Sequence, residues 1–123
     1  MELEFNEATL SGVRAAAARM TKTTMTGDRA IDVVLAVHEL AANAVRHGGG
    51  SGRLRMHVTA GSMYCEVHDA GRSGVNGHPG APWPVQPGHG LWLVKRACDE
   101  LTVVSGPGGS RVTATFALPG PLS

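Results

Sequence analysis

Apolar residues in this chain recur at two spacings, every three to four residues in some stretches and every second residue in others. Leu3 and Phe5 alternate with polar neighbours and begin a short strand. From about residue 6 to 24 the spacing becomes helical, through Leu10, Val13, Ala17 and Met20, and the alanine run 15–18 adds helix propensity. Gly27 interrupts that pattern and Asp28 offers an N-cap. A second helix is predicted from there to about His47, with Ile31, Val34, Leu35, Ala42 and Val45 as its apolar face and Gly48, Gly49 and Gly50 as its stop. Alternation then returns. Leu54, Met56, Val58 and Ala60 oppose Arg53, Arg55, His57 and Thr59. After a Gly61-Ser62 turn, Met63, Cys65 and Val67 alternate with Tyr64, Glu66 and His68, which predicts an antiparallel hairpin with one buried face. A third helix fits residues 90 to 99, a strand fits 101 to 105, a glycine turn fits 106 to 109, and Val112, Ala114, Phe116 and Leu118 mark a last strand.

The resulting order, strand, two helices, hairpin, loop, helix, hairpin, predicts an α/β fold. It is a two-layer sandwich with helices packed on one face of a mixed, mainly antiparallel sheet. With 123 residues and no internal repeat, the chain makes one domain with a loose tail at 119–123. The segment of about 72–88 has no periodicity and carries Pro79, Pro82, Pro84 and Pro87. Structureless stretches of that length inside compact domains serve as functional lids or are disordered.

Composition narrows the function. Eleven Lys and Arg against ten Asp and Glu leave a net charge of +1, without the basic excess of a direct nucleic-acid binder. No apolar run is long enough to cross a membrane, and the acidic start is not a signal peptide. Cys65 and Cys98 stand outside any CxxC pair and read as core thiols of a reduced, cytoplasmic protein. His47, His57, His68, His78 and His89 follow one another at ten or eleven residues, which matches no metal-ligand spacing on one element. Thirteen of the seventeen glycines gather at three junctions, 48–52, 71–90 and 106–109, where they shape the backbone.

Three constellations carry chemistry. On the second helix Glu39, Asn43 and His47 sit at i, i+4 and i+8, one polar stripe. A carboxamide oxygen suits Mg²⁺ beside phosphates, and a carboxylate one turn away can take a proton; alone, the stripe equally describes a solvated helix face. Asp69-Ala70-Gly71 closes a strand, where an Asp can accept a hydrogen bond from an adenine amino group or simply make a turn. Gly88-His89-Gly90-Leu91 opens a helix whose bare N–H groups and dipole favour phosphate. Neither a GxGxxG after a strand nor a GK[ST] is present, so this is neither a dinucleotide fingerprint nor a P-loop.

In this order the three resemble the ATPase family shared by DNA gyrase, the heat-shock chaperone, histidine kinases and MutL (GHKL). Within it they resemble the bacterial anti-sigma factor serine kinases of the short actinobacterial type. The N box matches residues 39–48, the glycine boxes match Asp69-Ala70-Gly71 and Gly88-His89-Gly90-Leu91, and Gly109-Ser110-Arg111-Val112 matches the turn into the last strand. The resemblance spans roughly residues 5–118 and implies ATP and Mg²⁺ as cofactors. It implies Asn43 as the Mg²⁺ ligand, Glu39 as general base toward a protein serine, Asp69 as reader of the adenine amino group, and Gly71 as room for the base. Gly88, Gly90 and the backbone through Leu91 hold phosphates, Ser110 completes the adenine contacts, and Arg72 and His89 reach toward phosphate. His47 either approaches the phosphates or complements the helix dipole. One departure stands out: either Ser73 occupies the second glycine of the usual DxGxG pattern or one residue is inserted before Gly74, and Arg72 is the only permanent cation in the lid.

The implied partners are a sigma factor and a STAS-type anti-anti-sigma protein, in a partner switch, with a homodimer also implied. A catalytically weak binding module of the same fold is the alternative, and the catalytic half of a split histidine kinase a third, disfavoured because the chain lacks a phosphoacceptor-histidine helix pair. Arg14 and Arg19 beside the alanine surface of the first helix suit dimerisation, sigma-factor docking or plain packing. Trp83 suits a cover over nucleotide or partner, Trp92 partial core, and Arg53 and Arg55 a solvated strand face.

Overall fold

In the computed structural model, which describes residues 1–47, 49–69, 90–106 and 108–118, the expected sandwich is present. Strand β1 (Glu2–Asn6) leads through a single 3₁₀ turn into α1 (Leu10–Lys22) and α2 (Gly27–His47). Hairpin β2 (Ser51–Thr59) and β3 (Ser62–Asp69) follows, then α3 (Gly90–Ala97) and hairpin β4 (Glu100–Gly106) and β5 (Gly109–Ala117). The lid segment, the tail and the expectations placed on Gly71, Arg72, Ser73, His78, Trp83, Gly88 and His89 lie outside the described residues.

The sheet runs β1-β2-β3-β5-β4, and all four pairings are antiparallel. The pattern leaves room for a mixed sheet, since a crossover through α3 could pair β4 parallel to β3. Instead the last hairpin inserts β5 against β3, from Ser62↔Ala117 to Asp69↔Ser110, and pushes β4 to the edge. The hairpin turn also falls one residue earlier than expected. Ala60 and Gly61 form a two-residue loop, both with positive φ (42° and 87°), the geometry that matches the twist of paired strands.

Alternation decides the faces. Phe5, Leu54, Met56, Met63, Cys65, Val67, Val112, Ala114 and Phe116 are buried under the helices. The opposite face is polar and solvated: Arg53 pairs with Glu4 at 3.3 Å, Arg55 with Glu2 at 3.4 Å, and His57 stacks on Tyr64 with ring centres 5.0 Å apart. Such exposed pairs add well under ~1 kcal/mol each. Burial pushes the Cys65 thiol up to about 12, so it behaves as a core hydrophobe; Cys98 is half-buried and also free. Trp92 is half-buried, with the Arg96 guanidinium over its ring at 5.0 Å.

The second helix corrects the sequence pattern. It buries Val33, Ala36, Val37, Leu40, Ala41 and Ala44 on the sheet, whereas Ile31 and Leu35 stay 64% and 43% exposed. Alanines conceal the true core stripe: they are small enough to let the helix settle close to the strands, and the bulkier stripe of Ile31, Val34 and Leu35 flanks it.

One glycine sets that close approach. A Cβ on Gly52 would lie 2.7 Å from the His68 carbonyl oxygen, 2.7 Å from Phe5 Cζ and 3.3 Å from Ala44 Cβ. Backbone atoms yield little, so Gly52→Ala is expected to cost about 2–3 kcal/mol, read as a lower urea midpoint at unchanged slope.

A clasp joins the far ends. Arg29 Nη1 donates to the Ala97 carbonyl (3.3 Å), its Nη2 pairs with Asp99, and its guanidinium lies over the Phe116 ring at 5.2 Å. Asp99 Oδ2 also accepts from the Ala117 N–H at 2.6 Å. That N–H chiefly holds the Asp99 carboxyl below its ordinary 3.8, with burial opposing and Arg29 assisting. A carboxyl lowered in the folded state stabilises in full above its unfolded value and loses that contribution as pH falls through the folded one. Asp99→Asn is therefore expected to cost about 1 kcal/mol at pH 7, because the pair is half-exposed, and to cost almost nothing near pH 2–3, as denaturant titrations at the two pH values would show.

Candidate functional site

The last two turns of α2 carry the polar stripe. Asn43 is only 4% exposed although its neighbours on the stripe are not: Glu39, one turn earlier, is half-buried, and His47 is exposed at the helix end. Two glycines past that end, Gly49 and Gly50, take φ of 103° and 91°, conformations that stop the helix and turn the chain into β2.

Gly52 shows where this stretch of α2 lies. The space where its Cβ would stand is closed by Ala44 Cβ and by the His68 carbonyl, so the turn of α2 that carries Ala44 packs close to the backbone of β2 and β3. At the end of β3 Asp69 is buried, and its Oδ1 accepts from the Ser110 N–H at 3.3 Å, across the register that pairs the two residues. Ser110 is buried beside it. A shallow hollow next to them is lined by His68, Asp69, Val104, Gly108, Gly109, Ser110 and Arg111.

The third constellation arrives through α3. Arg29, near the start of α2, holds the C-terminal end of α3, and Leu91 and Val94 are buried in the same core as Leu40. An eight-residue helix is about 12 Å long. Its C-terminal end lies at Arg29, its buried face packs on α2, and Gly90 is its first residue. The Leu91 side chain is core, so only its backbone is available to a ligand.

Of the residues expected from the sequence, Asp69 and Ser110 adjoin at the paired ends of β3 and β5, Glu39 and Asn43 lie one turn apart on α2, and Gly90 opens α3. Sequence reasoning misses Arg46. The Arg46 Nη2 donates to Asn43 Oδ1 at 2.7 Å and places a permanent positive charge beside the carboxamide. The signal was present as an i, i+3 spacing, the reach of a helix neighbour, but a stripe read only at i+4 passes over it. Among the described residues, no group of three or more His, Cys, Asp and Glu could hold a metal ion. A cation here would have the neutral oxygen of Asn43 and whatever oxygens a ligand brings, a hard-oxygen set of the kind Mg²⁺ accepts.

No described helix is long and apolar enough to cross a membrane. A search of curated proteins found no match. Among solved structures, the RsbU and RsbW domains of Rv1364c from Mycobacterium tuberculosis superpose with a TM-score of 0.72 at 20% identity, over 98% of this chain and 33% of that one. The histidine kinase domain of the blue-light activated histidine kinase EL346 from Erythrobacter litoralis gives 0.61 at 23% identity, over 90% of this chain and 60% of that one. A longer structure of the same kinase gives 0.62 at 24% identity, over 90% and 41%. The chain thus spans between a third and three-fifths of these relatives, and at such identities the likeness is one of fold. The profile of the histidine kinase-like ATPase domain matches residues 3–116, nearly the whole chain. The chain therefore belongs to the histidine kinase-like ATPase domain family.

Proposed function

We propose that this protein binds Mg-ATP at the end of the sandwich formed by α2, β3, β5 and the start of α3, and that it is an anti-sigma factor serine kinase. The observation that carries this reading is the buried Asn43, one turn from Glu39, on the turn whose Ala44 packs against Gly52 beside the His68 carbonyl. In this reading the Asn43 oxygen is the protein's one ligand to Mg²⁺. The ion, when bound, supplies charge neutralisation on the phosphates. Asp69 accepts from the adenine amino group, with Ser110 beside it. The first amides of α3, at Gly90 and Leu91, donate to phosphate oxygens, where the helix dipole adds positive potential. The resemblance assigns Gly71, Arg72, Gly88 and His89, which lie outside the described residues, to nucleotide binding as well, and His47 at the end of the stripe to the phosphates. Glu39 accepts the proton of a serine hydroxyl on the protein substrate as the phosphoryl group transfers.

The RsbW domain in the mycobacterial match, beside an RsbU domain in one chain, supports a partner switch: sequestration of a sigma factor, and phosphorylation of a serine on a STAS-type anti-anti-sigma protein. A cytoplasmic location and a homodimer go with that reading.

One observation favours the alternative, a regulatory module of weak or no catalysis. Arg46 already engages the oxygen that Mg²⁺ would need. A carboxamide oxygen has two lone pairs, so the two uses are compatible; were they exclusive, nucleotide would bind weakly. Incubation with γ-labelled ATP and a STAS-type anti-anti-sigma protein from the same organism decides between them. Phosphoserine on the antagonist is expected; tight nucleotide binding with no transfer would leave only the binding module.

A further inference from the structure

Among the described residues an apolar hollow lies elsewhere, between α1 and α2. It is a groove of about 520 Å³. One wall is Arg14, Ala18 and Lys22 on α1, and the other is Gly27, Ile31 and Leu35 on α2. Both walls are i, i+4, i+8 ridges, so each runs about 12 Å, two helical turns. Thr21, Met25, Ala30 and Val34 form the floor. The groove opens on the α1 flank of the first half of α2, so it shares none of the residues assigned to nucleotide.

Two features say what fits there. The groove is asymmetric: its α2 wall is apolar, with Ile31 64% and Leu35 43% exposed, and its α1 wall is cationic. No carboxylate lines it, and neither Arg14 nor Lys22 forms an ion pair among the described residues. The trough between two helices, with small residues Ala18, Gly27 and Ala30 along it, is also the shape that a third helix fills ridge into groove.

We propose that this groove docks an acidic amphipathic helix of a partner protein. Apolar side chains of the partner at i, i+3 or i+4, and i+7 cover Ile31, Val34 and Leu35, and carboxylates along the flank of that stripe meet Arg14 and Lys22. The charge asymmetry gives orientation and specificity, and the apolar wall gives affinity.

Ile31 is the only isoleucine in the chain, so labelling isoleucine methyls yields one NMR signal, located in this groove. The full chain is panned against a random 16-residue peptide display library, and the enriched peptides are titrated into the methyl-labelled protein. Enriched sequences are expected to carry apolar residues at helical spacing with at least two Asp or Glu, and to shift the Ile31 signal saturably. The Arg14→Glu/Lys22→Glu variant, altered only at exposed positions and checked for fold by circular dichroism, is expected to bind the acidic peptides at least 10-fold more weakly and to enrich Lys- or Arg-bearing peptides instead. The proposal is overturned by an absence of enriched peptides, by hits without acidic bias, or by hits that leave the Ile31 signal in place. It is equally overturned if that signal moves with protein concentration alone, which would mean a second copy fills the groove.

Discussion

Asn43→Ala is expected to lower Mg-ATP affinity by at least ten-fold, the largest effect of any single substitution in the site. Asn43 is 4% exposed and lies next to Ala44, which packs against Gly52. Alanine removes the oxygen that would hold Mg²⁺ and leaves the Arg46 guanidinium without its 2.7 Å acceptor. Two losses therefore coincide, a metal ligand and the anchor of the adjacent cation. The substitution should cost the unliganded fold only about 1 kcal/mol, since the lost hydrogen bond is local to one helix. The distinguishing result is thermal. Ligand at 100 times its dissociation constant adds about 2.7 kcal/mol to the wild-type fold, a rise of several degrees for a domain of this size. The variant should show almost no rise. Asn43→Asp, which keeps an oxygen at the same place, should recover part of it.

Glu39→Gln is the second large effect and must differ in kind. Glu39 is half-buried, one turn before Asn43 on the same side of α2. In the proposed role of general base it would touch the protein substrate's hydroxyl rather than the nucleotide. The amide keeps the shape and loses the ability to accept a proton. Phosphate transfer to the antagonist is expected to fall by about 10²–10⁴-fold, while nucleotide affinity, measured by the same thermal rise, stays within about three-fold of wild type. A parallel loss of both would make Glu39 a binding residue and remove the case for its catalytic role.

The two-layer fold was legible because alternation in β2, β3 and β5 and the glycine stop after His47 are local signals. What stayed illegible is non-local. The order β3-β5-β4 depends on which strand the last hairpin presents to β3, and no residue of that hairpin announces it. The core stripe of α2 was misread because alanine carries little hydrophobic signal, yet four alanines, Ala36, Ala41, Ala42 and Ala44, are buried there. Ile31 and Leu35 looked like core for the opposite reason and instead form the wall of an open groove.

The candidate residues Glu39, Asn43, Asp69 and Gly90 were picked out by spacing, as polar or backbone features on α2, at the end of β3 and at the start of α3. What spacing did not reveal is the packing around them: Gly52 admits the last turns of α2 onto the sheet, and the clasp of Arg29 and Asp99 holds the end of α3. Arg46 was visible in the sequence and had no assigned partner until the helix geometry brought it to Asn43.

The central claim is that adenine nucleotide binds with Mg²⁺ at the Asn43 end of the sandwich. Calorimetric titration of the wild-type chain with ATP, with Mg²⁺ and with excess chelator, tests it most directly. Saturable one-to-one binding in Mg²⁺, weakened at least ten-fold by chelator or by Asn43→Ala, is the expected result. No binding heat at any nucleotide concentration, or an affinity indifferent to both Mg²⁺ and Asn43, would contradict it.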